Sequence, residues 1–415
     1  MAAGALAPSL MKKPAQPSLM KKPAQKRLAT DCNTSFTCVA DDGALIRCKR
    51  ARLTTGSDFS GISCQSIALK ALGIDVTHSF CCDSERGCRQ ILSENFAPDV
   101  IYNDVCGRDL GGMPPVDLFC STFPCQSYSA LGMQMGTDDA RGILVLHSLD
   151  YIDKHTPAMV MMENVSKITE AKHKDLLDLI RTRLTAAGYD TFEAILNPTT
   201  FGIPQNRARW YLVAILSDIN IVNGKRCFDF PRGRPDGIPA MTLHQLVKPY
   251  PTDVWKPMPG GALATRNVTA AYAKFHSASG VSPFEEHIVV DMAASPRFRS
   301  AMLNRSPTLT KTRAHALGYW DSVKGGPLSV NDMKRLMGFR AEDVKHAGQS
   351  DKFVAGCLGN GCSVTVLTKL LPMMLKCAGF LTKPQFNLAM QRSEIFLGLL
   401  EVIACTCDGP CNGKC

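Results

Sequence analysis

The chain has 415 residues, of which 45% are hydrophobic and 20% charged, a composition typical of a soluble globular protein. Its length predicts about two to three domains. No apolar run reaches about 18 residues, so we expect no membrane-spanning helix, and we also expect no signal peptide. The net charge of +10 is compatible with a polyanionic ligand, and the 18 cysteines are too few for a disulfide scaffold, so we expect free thiols in a reducing compartment.

Residues 1–50 are predicted to form a disordered basic arm. The sequence PSLMKKPAQ occupies positions 8–16 and is repeated unchanged at 17–25, and residues 1–30 contain lysine and arginine but no acid. Two prolines and a lysine pair in each copy leave too little apolar surface to order the segment. The alternatives, in order of preference, are a solvated tail, a nuclear address or non-specific phosphate contact, and an organellar transit peptide. The arm favours a nuclear location over a bacterial cytoplasm or nucleoid.

Short apolar runs alternate with helical periods between residues 51 and 217. The predicted strands are 53–59, 76–82, 99–102, 116–121, 158–162 and 210–216. The predicted helices are 64–72, 85–95, 142–154 and 173–187. This α/β alternation predicts a parallel sheet with helices on both faces, so a ligand would bind beyond the carboxyl ends of the strands.

The alternating pattern fails after residue 217. Residues 218–300 are rich in proline and glycine and predict a smaller, loop-rich domain. Helical texture returns in 301–400, at 329–346, 363–380 and 381–400. Residues 401–415 form a Cys-rich tail in which Cys405, Cys407, Cys411 and Cys415 have a spacing of no familiar zinc finger, so we predict free or crosslinkable thiols over zinc and assign no metal site.

A turn of small residues follows the first predicted strand, and acids follow the next two. The turn at 58–64 reads DFSGISC, and the glycine lets backbone N–H groups approach a ligand closely. Asp83 follows the second strand, where a carboxylate can accept hydrogen bonds from ribose hydroxyls, and Asp104 follows the third. Because no GxxxxGK[ST] run occurs, these residues predict an adenosine-type ligand rather than a phosphate.

A cysteine lies beyond the strand at 116–121. Cys125, in the sequence FPCQ, precedes a Ser-, Gly- and Met-rich stretch at 127–142. An arbitrary cysteine is usually an inert thiol, but a thiolate is a strong nucleophile when it is exposed, and the stretch after Cys125 is typical of a mobile lid. We therefore predict that Cys125 is a nucleophile.

Charged residues accompany the last two predicted strands of this region. Glu163 follows the strand at 158–162, and in apolar surroundings its pKa would be raised so that it could stay protonated and act as an acid; a helix-capping Glu-Asn pair is the alternative. Arg207 and Arg209 lead into the strand at 210–216. Alternation puts these arginines on one face, where paired guanidinium groups suit a carboxylate or phosphate.

The order of these segments resembles that of the C5-cytosine-specific DNA methyltransferases, over roughly residues 53–376. The matches are the Phe-x-Gly turn, the Pro-Cys-Gln loop, the Glu-Asn-Val strand end, the Gln-x-Arg-x-Arg strand, Arg141-Gly142, 201–204 (FGIP), 305–310 (RSPTLT) and 358–360 (LGN). Each motif is weak by itself, but their common order is very specific.

The resemblance implies a Rossmann-like methyltransferase sheet that binds S-adenosylmethionine. It makes 51–217 a catalytic and cofactor-binding domain, 218–300 a target-recognition domain and 301–400 a return to the catalytic domain. It further implies that a cytosine is flipped out of duplex DNA, that Cys125 attacks C6 and that Glu163 assists at N3. Arg209 with Arg207 would hold the adduct while C5 takes the methyl group.

The resemblance also implies sets of binding residues. The cofactor-binding residues are Phe59, Ser60, Gly61, Asp83, Asp104, Pro124 and Asn360. The substrate-binding residues are Gln126, Arg141, Asn164 and Gln205. The chain departs from the family at Ser63, where a second glycine is usual, at Asp83, where glutamate is usual, and at Gly361, where serine or alanine is commoner. We still expect cofactor binding, if anything at lower affinity.

Two alternatives to a DNA methyltransferase stay open. One branch of the family modifies tRNA and carries a late Cys-Phe-Thr tripeptide, whereas 227–229 here reads CFD at a different place. A non-catalytic regulatory relative would typically lack the cysteine or the glutamate, and this chain has both. We expect a monomer without a membrane partner. The target sequence is not readable. Solvated charges are expected, with phosphate contacts as the alternative, for Arg232, Arg234, Lys256, Arg266, Lys274, Arg297 and Arg299.

Overall fold

The computed structural model describes residues 52–124, 144–222, 225–234, 240–251, 253–295 and 300–400, and the backbone of two short strands before them. These strands, β1 (Phe36–Val39) and β2 (Leu45–Cys48), pair antiparallel within the segment predicted as a basic arm. The rest of the arm and the predicted Cys-rich tail lie outside the described residues.

A seven-stranded sheet forms the centre of the described chain, in the order β5-β4-β3-β6-β7-β9-β8. Its strands are β3 (Leu53–Asp58), β4 (Val76–Cys82), β5 (Val100–Tyr102), β6 (Leu118–Ser121), β7 (Met159–Val165), β8 (Tyr189–Leu196) and β9 (Arg209–Leu216). The first five pair in parallel, as predicted, so their carboxyl ends lie along one edge. The four residues of β6 are all buried, which is typical of a central strand covered on both faces.

The prediction of a wholly parallel sheet is wrong for the last two strands. β9 runs antiparallel to both β7 and β8, and β8 was not predicted. The connection over 197–208 contains only a short 3-10 helix, Pro198–Phe201, and no α-helix that could cross over the sheet, so β8 and β9 form an antiparallel pair. β8 lies at the sheet edge and its middle residues are only half-buried, which explains why it has no strong apolar pattern.

Helices cover both faces of the sheet. The four predicted helices are confirmed as α1 (Cys64–Ala71), α2 (Arg86–Phe96), α3 (Leu144–His155) and α4 (Lys174–Ala186). One apolar core lies between the sheet and the C-terminal helices and includes Ile67 and Leu370. A second lies on the opposite face and includes Leu149 and Ile180. The sheet is therefore the middle layer of three.

The region after residue 217 contains more regular structure than its composition predicts. It holds β10 (Ile221–Val222), β11 (Lys225–Arg226), α5 (Leu243–Leu246), α6 (Ala262–Ser279), β12 (Ile288–Asp291), β13 (Ala301–Leu303), α7 (Lys311–His315), β14 (Tyr319–Asp321) and β15 (Gly326–Pro327). A four-stranded sheet, β13-β12-β14-β15, spans the predicted boundary at residue 300. The 18-residue α6 was missed because it buries only three side chains and has no broad apolar face.

The C-terminal part of the described chain is helical. It consists of α8 (Val330–Leu336), α9 (Asp351–Asn360), α10 (Val364–Cys377) and α11 (Lys383–Gly398). The last two confirm the predicted helices at 363–380 and 381–400. The helix predicted over 329–346 is wrong beyond Leu336, because Gly338 has a φ of 80°. No single helix among the described residues is long and apolar enough to cross a membrane. Of these described helices, only α9 and α10 taken together reach that length and apolarity, and the two helices are bent by 47° relative to each other.

Not all cysteines are free, contrary to the prediction from composition. Cys227 and Cys377 form a disulfide that joins the region after β9 to the end of α10, across a sequence separation of 150 residues. Cys64, Cys120 and Cys362 are free and buried. No group of three potential metal ligands occurs in the described ranges.

Candidate active site

A turn with unusual backbone conformation follows β3. Phe59, Gly61 and Ser63 all have φ values between 53° and 55°, in the left-handed region that strains residues with a side chain. No atom of the described residues lies within 4 Å of the place where a Cβ of Gly61 would be. Ser60 anchors the turn from behind, since its backbone N–H donates to Cys82 O at 2.9 Å and its Oγ accepts from Cys82 N at 3.0 Å.

The predicted cofactor residues lie along the shared carboxyl edge. Asp83 follows β4, and its carboxylate accepts hydrogen bonds from Gly61 N at 2.7 Å and Glu85 N at 2.9 Å. Burial raises the pKa of Asp83, opposed by these two N–H groups. Asp104 and Pro124, after β5 and β6, are exposed, and so is Asn360 at the end of α9. An open turn beside three exposed residues at adjacent strand and helix ends fits an adenosine-type ligand.

The segment that holds the predicted nucleophile is described only up to Pro124. Cys125, Gln126 and Arg141 lie outside the described residues. Phe123, two residues before Cys125, is held in place because Asn164 Nδ2 donates a hydrogen bond to Phe123 O at 3.0 Å. The turn after β6 is thereby attached to the end of β7, where Glu163 precedes Asn164.

Glu163 and Arg209 form an ion pair at the end of β7. Arg209 Nε lies 3.3 Å from Glu163 Oε1, and their side chains are only 12% and 7% exposed. Burial raises the pKa of Glu163, and Arg209, Arg207 and a hydrogen bond from the Cys362 thiol partly oppose it. A buried carboxyl with a raised pKa can hold a proton and donate it to a base. The structure thus places the predicted acid beside one of the two predicted cations.

Arg207 has a different environment from Arg209. Its side chain is buried and donates to three backbone carbonyls, Leu309 O at 2.6 Å, Gly359 O at 3.1 Å and Gly361 O at 2.6 Å. Burial lowers the pKa of Arg207 to about 10. This guanidinium joins three segments of the chain, so the expectation that it acts on a substrate together with Arg209 has no support from its contacts.

Gln205 is fully buried next to the segment 305–310. Neither atom of its side-chain amide has a hydrogen-bond partner among the described residues. Its backbone is held by a bridge to Ser306, and Asn206 N donates to Ser306 O at 2.9 Å. Buried amides are normally paired, so the Gln205 side chain has hydrogen-bonding capacity that the described residues do not use.

Two features near the site were not predicted from the sequence. Arg108, in the loop after β5, forms a buried ion pair with Asp58. Cys362 lies in the Asn360-to-Val364 segment, and its thiol contacts the carboxyl of Glu163. Neither has a sequence signal: an isolated arginine in a loop and one cysteine among 18 are ordinary residues until the fold brings them to their partners.

The sheet order and the strand-end residues define a Rossmann-like methyltransferase. A sequence model of the family "C-5 cytosine-specific DNA methylase" matches residues 53–376. The chain therefore belongs to the C-5 cytosine-specific DNA methylase family, as the resemblance predicted.

Individual relatives match part of the chain. It is 28% identical to the type II methyltransferase M.HhaI of Haemophilus parahaemolyticus over 174 residues, which are 42% of this chain and 51% of that protein. It is 28% identical to the type II methyltransferase M.NlaX of Neisseria lactamica over 196 residues, 47% of this chain and 59% of that one. The chain thus spans little more than half the length of these curated relatives.

Solved structures share the fold at low sequence identity. The Dnmt2 methyltransferase of S. pombe aligns with a TM-score of 0.56 and 18% identity, over 78% of this chain and 99% of that one. The methyltransferase EhMeth of Entamoeba histolytica aligns with a TM-score of 0.55 and 17% identity, over 79% and 99%. At such identities the likeness establishes the Rossmann-like methyltransferase fold and nothing finer.

Proposed function

We propose that this chain transfers a methyl group from S-adenosylmethionine to C5 of a cytosine in duplex DNA, through a covalent adduct with Cys125. The observation that carries the proposal is the buried pair of Glu163 and Arg209, 3.3 Å apart at the end of β7. A protonated carboxyl beside a fixed cation suits a neutral, hydrogen-bonding heterocycle such as a cytosine ring. Family membership supports the reaction class.

Each protein group has one role in this proposal. The Cys125 thiolate forms a bond to C6 while Glu163 gives its proton to N3, so the ring electrons become available at C5. Arg209 holds Glu163 in place and stabilises the charge that develops when the proton leaves. After C5 has taken the methyl group, a water molecule accepts the C5 proton, the bond between Cys125 and C6 breaks, and N3 returns its proton to Glu163, which restores the thiolate, the carboxyl and the aromatic ring.

The cofactor would occupy the edge formed by the ends of β3 to β6. The space at Gly61 that the described residues leave free and the exposed side chains of Asp104 and Asn360 fit the adenosine part. S-adenosylmethionine, when bound, supplies an electrophilic methyl group on its sulfonium. The chain's part would be to bind and orient the cofactor through the Phe59–Gly61 turn and the carboxylate of Asp83.

A flipped base is part of the proposal because the ring atoms C5 and C6 cannot be reached in a stacked duplex. The unpaired amide of buried Gln205 is one group that could contact DNA near that base. Arg266 and Lys274 lie eight positions apart on one exposed side of α6, a spacing that puts them on one face. They are the phosphate contacts we propose for the duplex.

The test is transfer of a labelled methyl group to duplex DNA. We expect activity for the wild type, loss of at least about 100-fold for Glu163→Gln, and no activity for Cys125→Ser. Glu170→Gln is the matched control, since it makes the same chemical change at a carboxyl that is fully exposed. Duplex DNA with 5-fluorocytosine at the target should become covalently bonded to the wild type and not to Cys125→Ser.

Parallel incubation with tRNA separates the DNA reaction from the RNA alternative. If tRNA is labelled in preference to DNA, the substrate is RNA rather than DNA, and the proposed chemistry at the cytosine still holds. Wild-type activity retained by Cys125→Ser, or equal activity of the Glu163 and Glu170 variants, would refute the catalytic roles.

A further inference from the structure

A buried ion pair joins the end of β3 to the loop that follows β5. Arg108 Nη1 and Nη2 donate to the two carboxylate oxygens of Asp58 at 2.6 and 2.9 Å. The two side chains are 3% and 0% exposed. This is the two-pronged geometry in which a guanidinium fixes both the distance and the orientation of its partner.

The pair belongs to a larger polar cluster, which we call the Asp58 cluster: Asp58, Arg108, Ser148 and Ser121. Ser148 Oγ donates to Asp58 Oδ2 at 2.8 Å, and the hydroxyls of Ser148 and Ser121 lie 3.1 Å apart. Ser148 lies in α3, the first described element after the segment that contains Cys125. The cluster thus connects β3, the loop after β5, β6 and α3.

The cluster lies directly behind the proposed cofactor edge. Asp58 precedes Phe59 in the strained turn, and Arg108 is four residues after Asp104 in the loop at 103–117. The far end of that loop is fixed separately, because Asp117 Oδ2 accepts from both the N–H and the hydroxyl of Thr54, at 3.0 and 2.7 Å. The Asp58–Arg108 pair therefore joins the residue before the turn to the part of the loop that follows Asp104.

We propose that the Asp58–Arg108 pair positions the cofactor site: it holds the Asp104 loop against the Phe59–Gly61 turn at the separation that the adenosine part of the cofactor requires. The inference rests on the proposed function for the identity of that ligand. Neither side chain touches the reacting atoms, so both are positioning residues. A contribution to folding alone explains the pair poorly, since a buried ion pair adds little stability over well-packed apolar side chains.

The test compares cofactor affinity with turnover in the full-length chain. The first variant is Arg108→Lys, which keeps the positive charge but cannot make the two parallel hydrogen bonds of a guanidinium. The second is the double variant Asp58→Asn with Arg108→Gln, which leaves no unpaired buried charge and so serves if the single variant fails to fold. Arg52→Gln is the matched control, because Arg52 forms an ion pair with Asp75 at 2.7 Å that is 62% exposed on both sides. Calorimetry measures binding of S-adenosylmethionine, and steady-state kinetics with duplex DNA give kcat and both KM values.

We expect both cluster variants to raise the dissociation constant and the KM for S-adenosylmethionine about tenfold, with kcat at saturating cofactor within about threefold of the wild type. The KM for DNA should not change, and Arg52→Gln should match the wild type throughout. A folded cluster variant with wild-type cofactor affinity overturns the inference, and so does a fall in kcat with an unchanged KM for the cofactor.

The two proposals fail in different ways. If the wild type binds S-adenosylmethionine but methylates no cytosine, the proposed function falls and the affinity comparison still decides the role of the pair. If the wild type binds no S-adenosylmethionine, both proposals fall together.

Discussion

Three glycines in the C-terminal helices provide a graded test of how the active site is held together. A Cβ on Gly359, in α9, would lie 2.5 Å from Thr310 C and 2.6 Å from Lys311 N, both backbone atoms. A Cβ on Gly356 would meet His315 Cβ at 3.3 Å, and a Cβ on Gly398, in α11, would have no atom of the described part of the chain within 4 Å. The same Gly→Ala substitution should therefore have three different effects on the free energy of unfolding.

The magnitudes follow from the space at each position. Alanine is intrinsically about 1 kcal/mol better than glycine in a helix, so Gly398→Ala should stabilise the protein by about 0.5–1 kcal/mol. Gly356→Ala should be within about 1 kcal/mol of the wild type, because the tight contact offsets that gain. Gly359→Ala must open the contact by about 1 Å, and this separates Leu309 O from Gly359 O, two of the acceptors of Arg207. Losing one such charged hydrogen bond as well as the packing makes the net loss about 2–5 kcal/mol.

Denaturant unfolding of the four proteins measures the series, and the KM for S-adenosylmethionine gives a second readout. Because Asn360 follows Gly359 directly, Gly359→Ala should also raise that KM, whereas Gly398→Ala should leave it unchanged. The reasoning is refuted if Gly359→Ala is as stable as the wild type, or if the order of the three variants differs from the order of the distances.

Burial raises the pKa of Glu163, so the folded state loses stability as the pH rises from the ordinary carboxyl pKa through the raised one. Glu163→Gln lacks this loss, so its melting temperature relative to that of the wild type should rise as the pH increases above about 4; a constant difference contradicts the sign. Ser63 has a φ of 55°, so Ser63→Gly should stay within about 1 kcal/mol of the wild type in denaturant unfolding, while the β-branched Ser63→Val should lose about 2–3 kcal/mol. Under non-reducing conditions, opening the Cys227–Cys377 disulfide with Cys227→Ser should lower the free energy of unfolding by about 4–5 kcal/mol, and a reductant should do the same to the wild type but not to the variant.

The sequence predicted the parallel part of the sheet well because three of its strands, β3, β6 and β7, are buried along almost their whole length. Such strands are continuous apolar runs, and the residue that follows each run is placed at the sheet edge by the chain direction alone. Asp83, Asp104 and Glu163 are at strand ends in the structure for this reason. Edge strand β8 has no such run, and α6 has no broad apolar face, so both were missed.

The sequence could not distinguish the two arginines. Alternation places residues two apart on one face only inside a strand, and β9 begins at Arg209. Arg207 precedes the strand, so its direction is decided by the carbonyls that surround it, and these come from segments more than a hundred residues away in the chain. The Asp58–Arg108 pair was missed for the same reason, because two charged residues fifty positions apart carry no local pattern that identifies them as partners.

The antiparallel direction of β9, which the sequence did not predict, is also what brings Arg209 close to Glu163. In the antiparallel pairing Glu163 lies opposite Tyr211 and Val165 lies opposite Arg209, so Arg209 is two positions away from Glu163 on the neighbouring strand and on the same face. A parallel β9 would have put its first residue beside the start of β7, four residues or about 13 Å from Glu163. A register slip of one residue would turn Arg209 to the opposite face and leave the carboxyl buried without a cation. The hairpin of β8 and β9 thus determines whether Glu163 lies beside Arg209, and substitutions that shift its register should affect the proposed methyl transfer even when they lie far from Glu163.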